Sequence, residues 1–221
     1  MKDKFFGRKA YLEVIEKRIR GLKDGYRQNI AIIGDELVGK TTLVFNLLHR
    51  FYDNRIIFVY MDSRPESTQE FSRRFIAVTL YNFLLNSGIE LKEDLDYLLD
   101  KARKYIPETV NKINETLKAV ERKKRTHVFS ELLSITELIH KETGKCCVVI
   151  FDEFLSLEKL GMPDLYQQWC KTLLTQKNTM HIIISSMKFR ARSVLAKELS
   201  LIFGNFEILS IDPFDIKTSE E

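Results

Sequence analysis

What this chain has little of narrows its nature first. It holds three cysteines, Cys146, Cys147 and Cys170, and two of them are adjacent inside an apolar run. That spacing suits no metal site, so buried free thiols are expected. Four prolines and nine glycines are few beside plentiful Lys and Glu, a balance met in heat-adapted proteins. No repeat or low-complexity segment interrupts the pattern. No run reaches the roughly eighteen apolar residues of a membrane span. Met1 to Phe6 carries a charged Lys-Asp-Lys and no apolar core, so no secretory signal is legible and a cytoplasmic protein is expected. Neither sign of charge dominates: 35 basic against 31 acidic side chains leave a net +4, too mild to imply nucleic acid by itself. With 44% hydrophobic residues in 221, the chain can bury a sizeable core, which excludes global disorder.

What is present reads as strands alternating with helices. Leu12, Ile15, Ile19 and Leu22 mark one apolar helix face, closed near Gly25. Buried strands are expected at Gln28–Ile33, Arg55–Met61, Cys146–Phe151 and His181–Ile184, and a last strand at Phe206–Ile211, stopped by Pro213. Helices are expected from Lys40 to about Tyr52, over Asp164–Thr175, and from about Arg192 to Leu201. Between the second and third strands the pattern is helical throughout, with an insert at about 88–143. There Ile106, Val110, Ile113, Leu117 and Val120 step by four and three, forming an apolar seam. Such alternation predicts an α/β domain with a mostly parallel sheet.

The chemistry begins at Gly34-Asp35-Glu36-Leu37-Val38-Gly39-Lys40-Thr41, which has the form G-x-x-x-x-G-K-[ST]. This is the phosphate-binding loop. Gly34 and Gly39 are expected to adopt backbone angles that a Cβ would forbid. The N–H groups of the loop and of the helix opening at Lys40, Thr41 and Thr42 then surround phosphate oxygens, aided by the positive end of the helix dipole. Lys40 would reach the β- and γ-phosphates of ATP, and the Thr41 hydroxyl would hold Mg²⁺.

A second half of the site is expected about 110 residues later, where the apolar strand ends in Asp152-Glu153. Asp152 would hold Mg²⁺ through water, and Glu153 would orient and deprotonate the attacking water. Ser185 and Ser186 end the next strand, where a polar side chain can touch the γ-phosphate or its water. Arg190 and Arg192 follow; both suit a solvated surface better than an arginine finger.

These residues resemble the archaeal-type ATPases of the AAA+/STAND branch of P-loop NTPases, relatives of the origin-recognition ATPases. The resemblance rests on Phe6-Gly7-Arg8, Gly34–Thr41, Ile56–Asp62, Val148–Glu153, Ile182–Ser186 and Ile211-Asp212-Pro213-Phe214. It implies a five-stranded sheet ordered 5-1-4-3-2, helices on both faces, and Gly7-Arg8 near the adenine. It favours adenine over guanine, as does the lack of an Asn-Lys-x-Asp base reader. Relatives often carry Gly-Arg before the last strand, whereas this chain has Gly204-Asn205, so no finger is expected there. Residues 1–215 would form the ATPase domain and 216–221 the start of a C-terminal lid. The implied function is Mg²⁺-dependent ATP hydrolysis driving a conformational switch, slow and monomeric in isolation. A nucleotide switch with negligible hydrolysis and a DNA-associated module with a regulatory ATP site stay open.

One surface stands apart in charge. Lys101 to Arg125 holds nine basic and three acidic residues, four of the basic ones contiguous at Arg122-Lys123-Lys124-Arg125. The seam would anchor this part of the insert and leave the charges outward. A solvated helix end is the plain expectation, and contact with DNA phosphates or an acidic protein partner is the other. Tyr105 alone could stack on a base, so base reading is not expected.

Overall fold

The computed structural model describes residues 8–89, 91–122, 126–199 and 206–213. Phe6-Gly7, Lys123-Lys124-Arg125, Gly204-Asn205, Phe214 and the 216–221 tail therefore lie outside the described residues. In order the chain forms α1 (Lys9–Leu22), β1 (Asn29–Gly34), α2 (Lys40–Arg50), β2 (Ile56–Met61), α3 (Thr68–Asn86), α4 (Leu95–Ala102), α5 (Pro107–Glu121), α6 (Val128–Thr143) and β3 (Cys146–Phe151). A 3₁₀ segment Phe154–Leu160 follows, then α7 (Leu165–Thr175), β4 (Thr179–Ser185), α8 (Lys188–Lys197) and β5 (Phe206–Ile211).

The strands form one parallel sheet ordered β2-β3-β4-β1-β5, the expected order read from the other edge. β1, β3 and β4 are buried at every position, which is why they read as continuous apolar runs rather than alternating ones. Successive side chains point to opposite faces, so each strand feeds two cores. Ile30, Ile32, Val148, Ile150, Ile182 and Ile184 pack with Leu12 and Ile15 of α1 and Leu43 and Leu47 of α2. Ala31, Ile33, Val59, Val149, Phe151 and Ile183 pack with the remaining helices, the insert among them.

The insert is built as its sequence predicts. Ile106, Val110, Ile113 and Val120 are buried, while Arg103, Lys104, Lys118 and Arg122 face solvent. Its α5 has no capping side chain of its own at Ile106. The Glu142 carboxylate of α6 instead accepts the backbone N–H groups of Glu108 and Thr109, each at 2.9 Å. An acid placed at a helix start by another helix satisfies the free N–H groups and the dipole together. One helix start differs clearly from expectation, and one short helical segment was not anticipated. Helix α8 starts at Lys188 rather than Arg192, because its first turn presents an exposed Phe189 and buries nothing before Ala191. The 3₁₀ segment buries Phe154, Leu155, Leu157 and Leu160 at a spacing that fits neither period.

Trp169 of α7 is the hub of the second core, with Phe129, Phe151 and Phe154 edge-on at 5.4, 5.1 and 6.2 Å between centroids. Such pairs add about 0.5–1.5 kcal/mol each beyond their buried area. Its indole N–H donates to Nδ1 of the fully buried His181 at 3.3 Å, which leaves Nε2 without a partner among the described residues. Burial, helped by the nearby Arg27 charge, holds the imidazole down to about 3 from the usual 6.5. The unfolded chain therefore binds one more proton than the native chain between those values, and stability falls as pH drops through that window. Urea unfolding of the parent should lose up to about 1.4 kcal/mol per pH unit below pH 6.5 from this group. His181→Gln should flatten the slope by that amount; parallel pH profiles of the two proteins would contradict it.

Candidate active site

The parallel sheet brings the C-terminal ends of its strands to one edge, and the loop after β1 opens there. A cavity of about 500 Å³ is lined by Glu36, Leu37, Gly39, Lys40, Thr41, Thr42, Glu153 and Ser186. Residues from the ends of β1, β3 and β4 thus meet in one place.

The two loop glycines are needed for different reasons. Gly39 sits at φ +87 as the N-cap of α2, a conformation that costs side-chain-bearing residues energy. Gly34 does not have positive φ; a Cβ there would lie 2.4 Å from the Ile211 carbonyl oxygen of β5. The expectation that both glycines supply forbidden angles is therefore corrected for Gly34, which is required by the close approach of a neighbouring strand. Leu37 takes φ +61 without being glycine, and its side chain is fully exposed. The first internal bond of α2 runs from Leu43 N–H to Gly39 C=O at 2.9 Å. The N–H groups of Lys40, Thr41 and Thr42 precede it, and those residues line the cavity.

Lys40 is buried, and its ammonium donates to the carbonyls of Gly34 (3.1 Å) and Asp35 (2.7 Å). Asp35 also pairs with Lys188 at 2.7 Å, tying the loop to the start of α8. Arg8 is buried, and its guanidinium donates to the carbonyls of Val38 (3.0 Å) and Asp212 (2.7 Å). It links the chain start, the loop and the exit of β5, and is not among the cavity-lining residues.

The two motifs meet at Asp152, a residue only 8% exposed. Its Oδ2 accepts the Thr41 hydroxyl at 2.7 Å and the Tyr60 hydroxyl at 2.8 Å. Its Oδ1 is buried and has no partner among the described residues. Burial, with the hydrogen bond to Asp152 next in weight and the Asp152 charge after it, pushes the Tyr60 phenol up from its ordinary value, so it stays protonated and donates. Glu153 has φ +48, and both oxygens of its carboxylate accept the Ser186 N–H, at 2.9 and 3.0 Å. Ser186 lines the cavity, and its N–H is taken by Glu153. Ser185 is fully buried, and its hydroxyl accepts the Met187 N–H at 3.1 Å. Arg190 donates to Glu158 and Arg192 to Ser210, so both have local partners. Tyr60 is the site residue that sequence reasoning missed; its one signal was a polar tip in an otherwise apolar strand.

Among the described residues, no cluster of three or more His, Cys, Asp or Glu could hold a metal ion, and no helix is long and apolar enough to cross a membrane. The three cysteines are free and buried.

A family model described as an ATPase domain predominantly from Archaea matches residues 5–221. No curated protein matches the sequence. Among solved structures, the ORC1 protein of Aeropyrum pernix in complex with DNA aligns with a TM-score of 0.57 at 14% identity, over 98% of this chain and 48% of its own. The ORC2 protein of the same organism, in ADPNP-ADP complexes, gives 0.52 at 15% identity, over 96% and 49%. Cdc6p from Pyrobaculum aerophilum gives 0.52 at 11%, over 99% and 48%. The chain spans about half the length of these proteins, and at such identities the likeness is one of fold.

The Gly34 contact carries a stability prediction. Gly34→Ala should lower unfolding stability by about 1–3 kcal/mol, because the atom met by the new methyl is backbone of β5 and cannot rotate away. Urea denaturation checks it, and an unchanged midpoint would show that β5 gives way freely.

Proposed function

Because this chain belongs to the family of ATPase domains found predominantly in Archaea, we propose that it binds ATP with Mg²⁺ at Gly34–Thr41 and hydrolyses it, with the nucleotide state setting its conformation. The observation that carries this reading is Oδ1 of Asp152. A buried carboxylate oxygen without a partner is costly, and it belongs to the carboxylate that the Thr41 hydroxyl touches.

The residues fit a small, hard divalent cation. Mg²⁺ prefers oxygen ligands, keeps several waters, and is commonly held by one or two protein groups together with substrate phosphates. Thr41 and Asp152 supply two oxygens of that kind, and the Thr41 hydroxyl keeps lone pairs free while its proton goes to Asp152. When bound, the ion supplies charge neutralisation at the β- and γ-phosphate oxygens.

The chain's own residues do the rest. Lys40 exchanges the Gly34 and Asp35 carbonyls for phosphate oxygens, a short swing for a four-carbon stem. The α2 N–H groups orient the β-phosphate. Glu153 takes a proton from water as its oxygen bonds to the γ-phosphorus and the bond to the β-phosphate oxygen breaks. The Ser186 N–H sets where that carboxylate stands.

Two substitutions separate binding from chemistry. Lys40→Ala should weaken Mg²⁺–ATP binding by roughly tenfold or more, the worth of a charge-assisted hydrogen bond. Glu153→Gln should bind ATP as the parent does while slowing turnover by roughly 10²–10⁴-fold, since an amide cannot accept the water's proton. Calorimetry and phosphate release measure both. Equal ATP affinity in Lys40→Ala refutes the binding site. Turnover preserved in Glu153→Gln removes Glu153 as base, and Lys40-dependent binding by a parent without turnover leaves a nucleotide switch instead.

A further inference from the structure

The bond from Tyr60 to Asp152 is not required by the fold around it. Tyr60 is partly exposed, so its hydroxyl could be satisfied by water. It is aimed at Asp152 by register: Tyr60 pairs with Ile150 across β2 and β3, which makes Asp152 its diagonal neighbour on the same face. Phe45 fixes the ring from above, with centroids 5.0 Å apart. Phe45 stands one helical turn after Thr41 on α2, so the helix that carries one donor also packs on the ring of the other.

The two donors converge on a single oxygen. Thr41 reaches Oδ2 from α2 at 2.7 Å and Tyr60 reaches it from β2 at 2.8 Å, while Oδ1 stays without a partner among the described residues. A carboxylate held by one hydroxyl can rotate about its Cβ–Cγ bond and exchange its oxygens. Held by two donors from different elements, it keeps one oxygen fixed and offers the other in a fixed direction.

We propose that Tyr60 is a positioning residue for the metal site: it locks Asp152 through Oδ2 so that Oδ1 is presented to a divalent cation, or to that cation's water, beside the phosphate loop. The proposal rests on the Mg²⁺–nucleotide reading above. It predicts a defect in metal binding that is separate from nucleotide binding, because Tyr60 is not among the residues lining the cavity that would receive the phosphates.

The test uses the whole chain and Tyr60→Phe, which keeps the ring on Phe45 and removes only the hydroxyl. Free Mn²⁺ is measured by electron paramagnetic resonance during titration into protein saturated with ADP. ADP affinity is measured separately in EDTA, and thermal melting without nucleotide. Tyr60→Phe should bind Mn²⁺ roughly tenfold more weakly, the usual effect of losing a partner that orients a metal ligand. Its ADP affinity in EDTA and its melting temperature should match the parent's. Equal Mn²⁺ affinity in the two proteins overturns the role of Tyr60 while the nucleotide reading stands. Parallel losses of metal-free ADP affinity and melting temperature overturn it in favour of a packing role. A parent that binds no Mn²⁺ in the presence of ADP overturns both.

Discussion

The hydrogen bond from the Thr41 hydroxyl to Asp152 Oδ2, 2.7 Å long, joins positions 111 residues apart, and the site depends on it. It forms because β1 and β3 run parallel and end at the same edge, here with one strand between them. β4 is that strand, pairing with both neighbours in register. The four-helix stretch between β2 and β3 is consequently a passenger with respect to the site. It is long, yet it leaves by one edge of the sheet and returns to the adjacent position. Its cost in loop closure grows only slowly with its length, and its own apolar seam offsets that cost.

How much of this was legible depended on whether a residue's role is local. The phosphate loop, the Asp-Glu strand end and the central strands follow from short-range pattern, because β1, β3 and β4 are buried at every position and need unbroken apolar runs, and a phosphate loop needs a fixed spacing. The start of α8 was misplaced, because its first turn faces solvent and carries no period. Tyr60 was missed because its role exists only across the β2–β3 pairing, and nothing near Tyr60 in sequence announces Asp152. Gly34 was recognised for the wrong reason: its constraint is the Ile211 carbonyl, 177 positions further along the chain. The Glu142 cap on α5 belongs with these, since the acid and the N–H groups it serves are on different helices.

Backbone strain follows the same geography. Among the described residues, Leu37, Glu153 and Asp164 hold positive φ without being glycine, and the first two line the cavity. A left-handed residue with a side chain costs on the order of 1 kcal/mol, so the surrounding structure must hold it in place. For Glu153 the restraint is visible in the paired acceptance of the Ser186 N–H. The carboxylate is stationed by the end of β4, which explains why an acid directly after the metal-binding Asp152 of the proposed site can turn back into the cavity rather than out to solvent.

Arg8 extends this logic to the far edge of the sheet. β5 is the most exposed strand, with only Ile211 fully buried, so packing alone holds it weakly. Its last residues are kept in place by the β1 ladder, by Tyr11 and Arg192, which donate to the Ser210 carbonyl and hydroxyl, and by the Arg8 bond to the Asp212 carbonyl, while Gly34 leaves room for the Ile211 carbonyl. The same guanidinium holds the Val38 carbonyl of the phosphate loop. A shift of the loop backbone at Val38 must therefore either break a buried charge-assisted bond or carry Asp212 with it, and β5 has little core to resist the second course. The point where the chain leaves the sheet is thus mechanically tied to the loop that would receive phosphate, through one buried cation and one missing Cβ.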